Sequence, residues 1–304
     1  MTKNVAASVR QRLLDRSRTT GNSFQNLLLR YGIERLLYRL SRSEYADEFI
    51  LKGASLFYAW TGQLYRPTKD VDMLRLGPTD PGLLANIIKS CTTMDVVNDG
   101  LVFDVDTIEA RPIREVELYS GVRITLKAYL GKAAISLQID VGTGDAITPA
   151  AERVEYPSLV EDMPSASLRA YRFETAIAEK CEAMVKLGMS NSRMKDFYDV
   201  FVLARDQEFD GATLVEAVRD TFSRRRTSLP ERPPVAWTTA FSQDSKKLTQ
   251  WNAFLTKSRL QAPELSELTT YLSTFLMPVF HAARADIVAP GRWSEGAWSQ
   301  IGEG

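Results

Sequence analysis

Asp70 and Asp72 stand two residues apart in "RPTKDVDML". Their neighbours Val71, Met73 and Leu74 read as a strand. Residues two apart in a strand share one face, and like charges side by side on a sheet repel and resist burial. Asp140 is a third acid of the same kind. In "AISLQIDVG", Ile135, Leu137 and Ile139 alternate with Ser136, Gln138 and Asp140. If the two strands are neighbours, three carboxylates converge, and they cannot all stay ionised unless cations neutralise them. Oxygen-only ligands favour Mg2+ or Mn2+. Such ions beside a triphosphate serve nucleotidyl and phosphoryl transfer. Alone, an Asp-x-Asp pair is more often a solvated strand edge, so the surroundings decide.

Upstream, "LKGAS" reads as a strand end followed by a helix start. There Gly53 allows close backbone approach, and free N–H groups around Ser55 attract phosphate. Ser55 is equally a simple N-cap. Downstream, Lys180 shares a helical stripe with Ile177, Cys181 and Met184. A lysine on an apolar stripe either snorkels or finds anions, and a triphosphate would supply them. Arg193, Lys195, Asp196 and Asp199 then cluster in the first two turns of another helix, where an ion-pair network is the simplest reading.

The elements that must position these residues follow from periodicity. Helices are expected over 3–18, 23–42, 55–63 and the segment "PGLLANIIKSCTTM". Strands are expected at "EFILKG", "KDVDML", "LVFDVDTIEARPI", "VRITLKAYL" and "AAISLQIDVG". Pro67 excludes helix at Arg66. After about residue 160 the pattern turns helical, over 168–187, 193–206, 212–226 and 236–285, with a loosely ordered tail from Pro290. This predicts an α+β fold. A domain over 1–160 carries a mixed or antiparallel sheet flanked by helices, and a helical domain over 161–304 contributes Lys180 and Asp196 to the site.

Composition sets bounds. The 304 residues are 44% apolar and 25% charged, the profile of a globular protein. Basic and acidic residues balance at 38 each, so a nucleic-acid surface must be a local patch. Arg10, Arg12, Arg16 and Arg18, and the run Arg224–Arg226, are candidates, although each is equally a solvated helix face. One histidine and two distant cysteines leave little for a histidine-based metal site, a triad or a disulfide framework. No apolar leader region and no run of about 18 apolar residues is present, so a cytoplasmic protein with no membrane partner is expected.

In order, "LKGASLFYAW…RPTKDVDML", "LQIDVG", "TAIAEKCEAMVKLG" and "SRMKDFYDV" resemble the AbiEii/AbiGii toxin family. This branch of the DNA polymerase β-like nucleotidyltransferases includes the MenT toxins. The resemblance spans about residues 24–205 and is carried by the combination, since each motif is short. It implies the toxin of a toxin–antitoxin system with a cognate antitoxin. It also implies a nucleotidyltransferase that moves NMP from NTP to an acceptor, typically the 3′ end of tRNA. Gly53 and Ser55 match the family's phosphate turn, here Gly-Ala-Ser where Gly-Gly-Ser or Gly-Gly-Thr is usual. Asp70 and Asp72 match the metal-binding pair, and Asp140 matches the third superfamily carboxylate. Lys180 matches the lysine expected on the triphosphate, and Asp196 the acid of the Arg-x-Lys-Asp motif. Arg66 matches an arginine that reaches the phosphates.

Three rival readings stand beside it, one within the same class and two of other classes. Transfer to a protein, as in AMPylation, uses the same site. An Asp-x-Asp glycosyltransferase would need an early βαβ pattern that is missing here. A non-catalytic nucleotide-binding interaction protein would not need Asp70, Asp72, Lys180 and Asp196 intact. Residues 210–304 carry no assignable motif, and the oligomeric state is not legible.

Overall fold

Period-two alternation builds the main sheet. In β4 (Gly121–Leu130) and β5 (Ala133–Thr143), buried residues such as Ile124, Leu126, Ile135 and Leu137 alternate with exposed or half-buried ones, as Leu101 and Phe103 do only at the start of β3 (Leu101–Ile113). The computed structural model describes residues 4–62, 68–113 and 121–299. These fall into two compact units. The first comprises residues up to Gly144 together with Glu152–Ala170; the second comprises Asp145–Ala151 and the chain from Tyr171 onward.

The first unit holds a seven-stranded mixed sheet. Its other strands are β1 (Phe49–Lys52), β2 (Val71–Arg75), β6 (Glu152–Tyr156) and β7 (Ala166–Ala170). The order is β3-β4-β5-β2-β1-β7-β6. The β2–β5 and β1–β7 pairs are parallel and the rest antiparallel. Four helices accompany the sheet: α1 (Val5–Thr20), α2 (Phe24–Arg42), the short α3 (Ser55–Thr61) and α4 (Pro81–Thr92). Leu36, Leu37 and Leu40 of α2 and Ile88 of α4 meet Phe49, Val71, Met73 and Ile139 of the sheet. At Gly32 an added Cβ would come 3.0 Å from Leu137, so this glycine lets α2 lie close on β5. A buried Arg39–Asp99 pair, with Tyr31 Oη donating to the Asp99 carbonyl at 2.7 Å, ties the start of β3 to α2.

The second unit is mainly helical. It contains α5 (Phe173–Leu187), α6 (Met194–Asp206), α7 (Gly211–Arg224), α8 (Thr239–Ser242), α9 (Ser245–Ser258) and α10 (Leu265–Ala285). A small sheet joins β8 (Phe209–Asp210), β9 (Arg292–Ser294) and β10 (Ala297–Trp298) in the order β10-β9-β8. Among the described residues, no helix is long and apolar enough to cross a membrane.

Two expectations change. The helix expected from 168 begins at Phe173, because Ala166–Ala170 extends beside β1 as a strand. The tail from Pro290 is not loose over its described part. Trp293 is fully buried against Phe275, with ring centres 4.7 Å apart, and its indole N–H donates to the Ala204 carbonyl.

Candidate functional site

Register places four charged side chains in one row across the first unit's sheet. Lys52 pairs with Asp72, Asp72 with Asp140, and Asp140 with Arg123. Directly paired residues project to the same face, so the row runs Lys52, Asp72, Asp140, Arg123. The reverse face, through Met73, Ile139 and Val141, is buried. Asp70 lies two residues before Asp72 on the same side, just ahead of β2, and accepts from Thr68 Oγ1 at 2.9 Å. Asp70, Asp72 and Asp140 are all half-buried.

Gly53 is pressed against this row. Its φ is +70°, and a Cβ built there would lie 1.9 Å from Asp72 Oδ2. Both the backbone conformation and the space therefore require glycine. The turn continues into α3 through Ala54, which occupies the N-cap position without a side-chain cap. Leu56 and Phe57 donate back to Gly53 and Ala54 at 3.3 Å. Ser55 is thus inside the helix, not its cap. It is 1% exposed, with Tyr156 beside it, so its hydroxyl does not face solvent as a phosphate ligand would. Arg66 lies outside the described residues.

The expected three-carboxylate cluster takes another form. Arg123 Nε and Nη2 donate to the two Asp140 oxygens at 2.8 and 2.7 Å, and Gln138 Nε2 adds a contact at 3.2 Å. The hydrogen bond to Asp140 raises the Arg123 pKa against the cost of burial, and the charges of Asp140, Asp70 and Asp72 add to it. Among the described residues, no group of three or more His, Cys, Asp or Glu is arranged to hold a metal ion. Asp140, expected as a third ligand, is instead taken by a guanidinium. The Asp70–Asp72 pair still fits a divalent ion, because Mg2+ is commonly held by one or two carboxylates with substrate phosphates completing its shell.

In the second unit, Lys180 of α5 finds its anions within the protein. Its Nζ lies 3.0 Å from Asp196 Oδ1 and 2.8 Å from Asp199 Oδ2. Both aspartates belong to α6 and are almost wholly buried. Arg193 Nε approaches the other Asp196 oxygen at 2.7 Å. Burial pushes the Asp196 pKa up, but Lys180 and then Arg193 outweigh it, so the carboxyl sits below its ordinary value. Lys195 is exposed. Asn191 lies three residues before the helix, its side-chain oxygen accepting from the Arg193 amide at 2.8 Å.

The candidate basic stripes are largely engaged. Arg12 pairs with Asp162, Arg18 with Asp15, and Arg16 donates to the Leu159 carbonyl. Arg225 is held by Asp145, Glu179 and Glu182 at 3.0–3.2 Å. The Arg224–Arg226 run is therefore not one solvated patch.

The sequence matches the family described as "Nucleotidyl transferase AbiEii toxin, Type IV TA system" over residues 35–282. The chain belongs to the AbiEii toxin family. It is thus a nucleotidyltransferase toxin of a type IV toxin–antitoxin system, with an antitoxin partner and an NTP substrate implied. The AbiEii match takes in Gly53, Asp70, Asp72, Asp140, Lys180 and Asp196 and leaves out α1 and β9–β10. Among solved structures, the chain is similar to MenT4, a nucleotidyltransferase toxin of Mycobacterium tuberculosis. They share 15% identity at a TM-score of 0.49, over 92% of this chain and 98% of that one. It is also similar to JHP933 of Helicobacter pylori, at 15% identity and a TM-score of 0.48, over 87% of this chain and 94% of that one. Comparison with curated proteins gives no match.

Two residues escaped the reading of the sequence as site members. Asp199, the second Lys180 partner, is signalled by its three-residue spacing from Asp196, which shares a helix face. Arg123 is signalled by the hairpin. Leu130 pairs with Ala133 around a two-residue turn at Gly131 and Lys132, and counting back along both strands brings Arg123 opposite Asp140.

Proposed function

We propose that this AbiEii-family toxin transfers NMP from an NTP to the 3′ end of tRNA, with Asp70 and Asp72 holding a Mg2+ ion. The observation that carries the reading is the close fit of Gly53 against Asp72. A positive-φ glycine turn beside a half-buried acid pair brings backbone close to the place where phosphates and cation must meet. In the reaction the acceptor hydroxyl oxygen bonds to the α-phosphorus and gives up its proton to solvent, the bond from that phosphorus to the bridging oxygen breaks, and pyrophosphate leaves. A bound divalent ion neutralises charge on the phosphate oxygens.

The chain's own residues orient and balance charge. Gly53 keeps the turn open for the phosphates, and the part of Ser55 is to seat α3 through its buried side chain. Lys180 is the cation assigned to the triphosphate by the family motif. Asp196 and Asp199 hold its amine in place. Support for tRNA as acceptor comes from the family resemblance, since the arginine stripes are mostly paired within the protein.

The test is label transfer. Purified protein, Mg2+ and each α-labelled NTP in turn are incubated with total tRNA, beside an Asp72→Ala control. Label at the tRNA 3′ end that vanishes in the control is the expected result and names the base. Absence of label from tRNA with every NTP overturns the acceptor; label on protein instead supports an AMPylation-like reaction.

A further inference from the structure

The carboxylate row sets three acids beside two basic residues, Lys52 and Arg123. Asp72 and Asp140 are directly paired across β2 and β5, strands that lie about 4.8 Å apart. Asp70 stands two residues away on the same side. Like charges so placed destabilise a sheet unless balanced. Arg123 balances one of them permanently. It grips both oxygens of Asp140 through two parallel N–H donors, and a guanidinium stays charged at any working pH. Gln138 adds its contact to the same carboxylate. Asp140 is only 16% exposed, whereas the Arg123 side chain is 47% exposed, so the acid is covered from the solvent side by its partner. Beyond Arg123 the row continues to Arg111, which pairs with Glu109 on its own strand.

Building on the assignment of metal to Asp70 and Asp72, we infer that Arg123 is a positioning residue. It keeps Asp140 out of the metal shell, so that the sheet presents a two-carboxylate site completed only by nucleotide. Metal and NTP then bind as a coupled pair, and the protein without nucleotide holds divalent ions weakly. Removing the guanidinium charge converts the row into a three-carboxylate site that captures metal without nucleotide.

The measurement is Mn2+ binding to the full chain, followed by electron paramagnetic resonance with and without NTP. Arg123→Gln keeps a hydrogen-bonding side chain but loses the charge. It is expected to raise Mn2+ affinity without nucleotide by about tenfold or more. Arg123→Lys keeps the charge and is expected to stay within about twofold of the unaltered protein. Adding Asp140→Asn to Arg123→Gln is expected to abolish the gain. A pair that served only to stabilise the sheet would lower the melting temperature in these variants and leave Mn2+ affinity unmoved. Unchanged affinity in Arg123→Gln, while the unaltered protein takes up Mn2+ with NTP, overturns this inference alone. Failure of the unaltered protein to take up Mn2+ even with NTP counts against the Asp70–Asp72 metal reading and this inference with it.

Discussion

The sheet row of the first unit and the lysine cluster of the second handle charge in opposite ways. In the row, three acids stand with Lys52 and Arg123, the acids half-buried on a face fixed by strand register. In the cluster, Lys180 is enclosed by two acids that solvent hardly reaches, with Arg193 as a further cation. The row is the part to which a substrate and its ion are assigned. The cluster is already balanced, and desolvation makes each partner depend on the others. Substitution in the row should therefore cost chemistry, and substitution in the cluster should cost stability.

The largest effect is expected from Lys180→Ala. It leaves two buried acids without their shared cation and should destabilise the helical unit by about 3–5 kcal/mol. Urea unfolding followed by tryptophan fluorescence would read this, since four of the five tryptophans, Trp237, Trp251, Trp293 and Trp298, lie in that unit. A loss below about 1 kcal/mol would break the comparison.

Gly53→Ala comes next. A side chain at positive φ costs about 1–2 kcal/mol, and its Cβ must also displace the Asp72 carboxylate. Nucleotide transfer should fall by about a hundredfold, more than the stability change alone would cause.

Acid offers a smaller test. The Asp196 pKa is depressed in the folded protein, so the unfolded chain binds its proton first. The resulting stability is present above the ordinary value of 3.8 and is lost as pH falls through the lower folded value. The urea midpoint should drop as pH falls below about 4, and Asp196→Asn should flatten that slope. The smallest stability change belongs to Asp70→Asn, expected within about 0.5 kcal/mol by the same unfolding measurement. Label transfer to acceptor should nevertheless disappear. Strong destabilisation by Asp70→Asn would show that the row is as structural as the cluster.

Much of this was legible wherever one residue spacing decided the outcome. The alternation in 135–140 put Asp140 on the polar face, and the spacing of Asp70 and Asp72 put them on one side. The helices α2, α4, α6 and α7 were legible from their apolar stripes. What escaped depended on distant partners. Glu152–Tyr156 and Ala166–Ala170 are short and mixed in character, and β7 is a strand because it lies beside β1, more than a hundred residues earlier. The burial of Trp293 likewise rests on Phe275 and on pairing with Phe209. Ser55 misled for a related reason, since an N-cap and a first helical residue differ by one position that only the backbone decides.

Arg225 bears on how the two units can be inherited. Its partner Asp145 comes from the stretch Asp145–Ala151, which lies between β5 and β6 in the chain but belongs with the helices. The Thr148 carbonyl of that stretch accepts from the Thr175 hydroxyl at 2.8 Å. The polypeptide therefore passes from the first unit to the second, back again, and out once more. No single cut separates them. A fragment beginning at Tyr171 would lose one of the acids around Arg225 and the acceptor for Thr175. Gene fusion or truncation can thus exchange these units only by rejoining three breaks at once, which favours their descent as one piece.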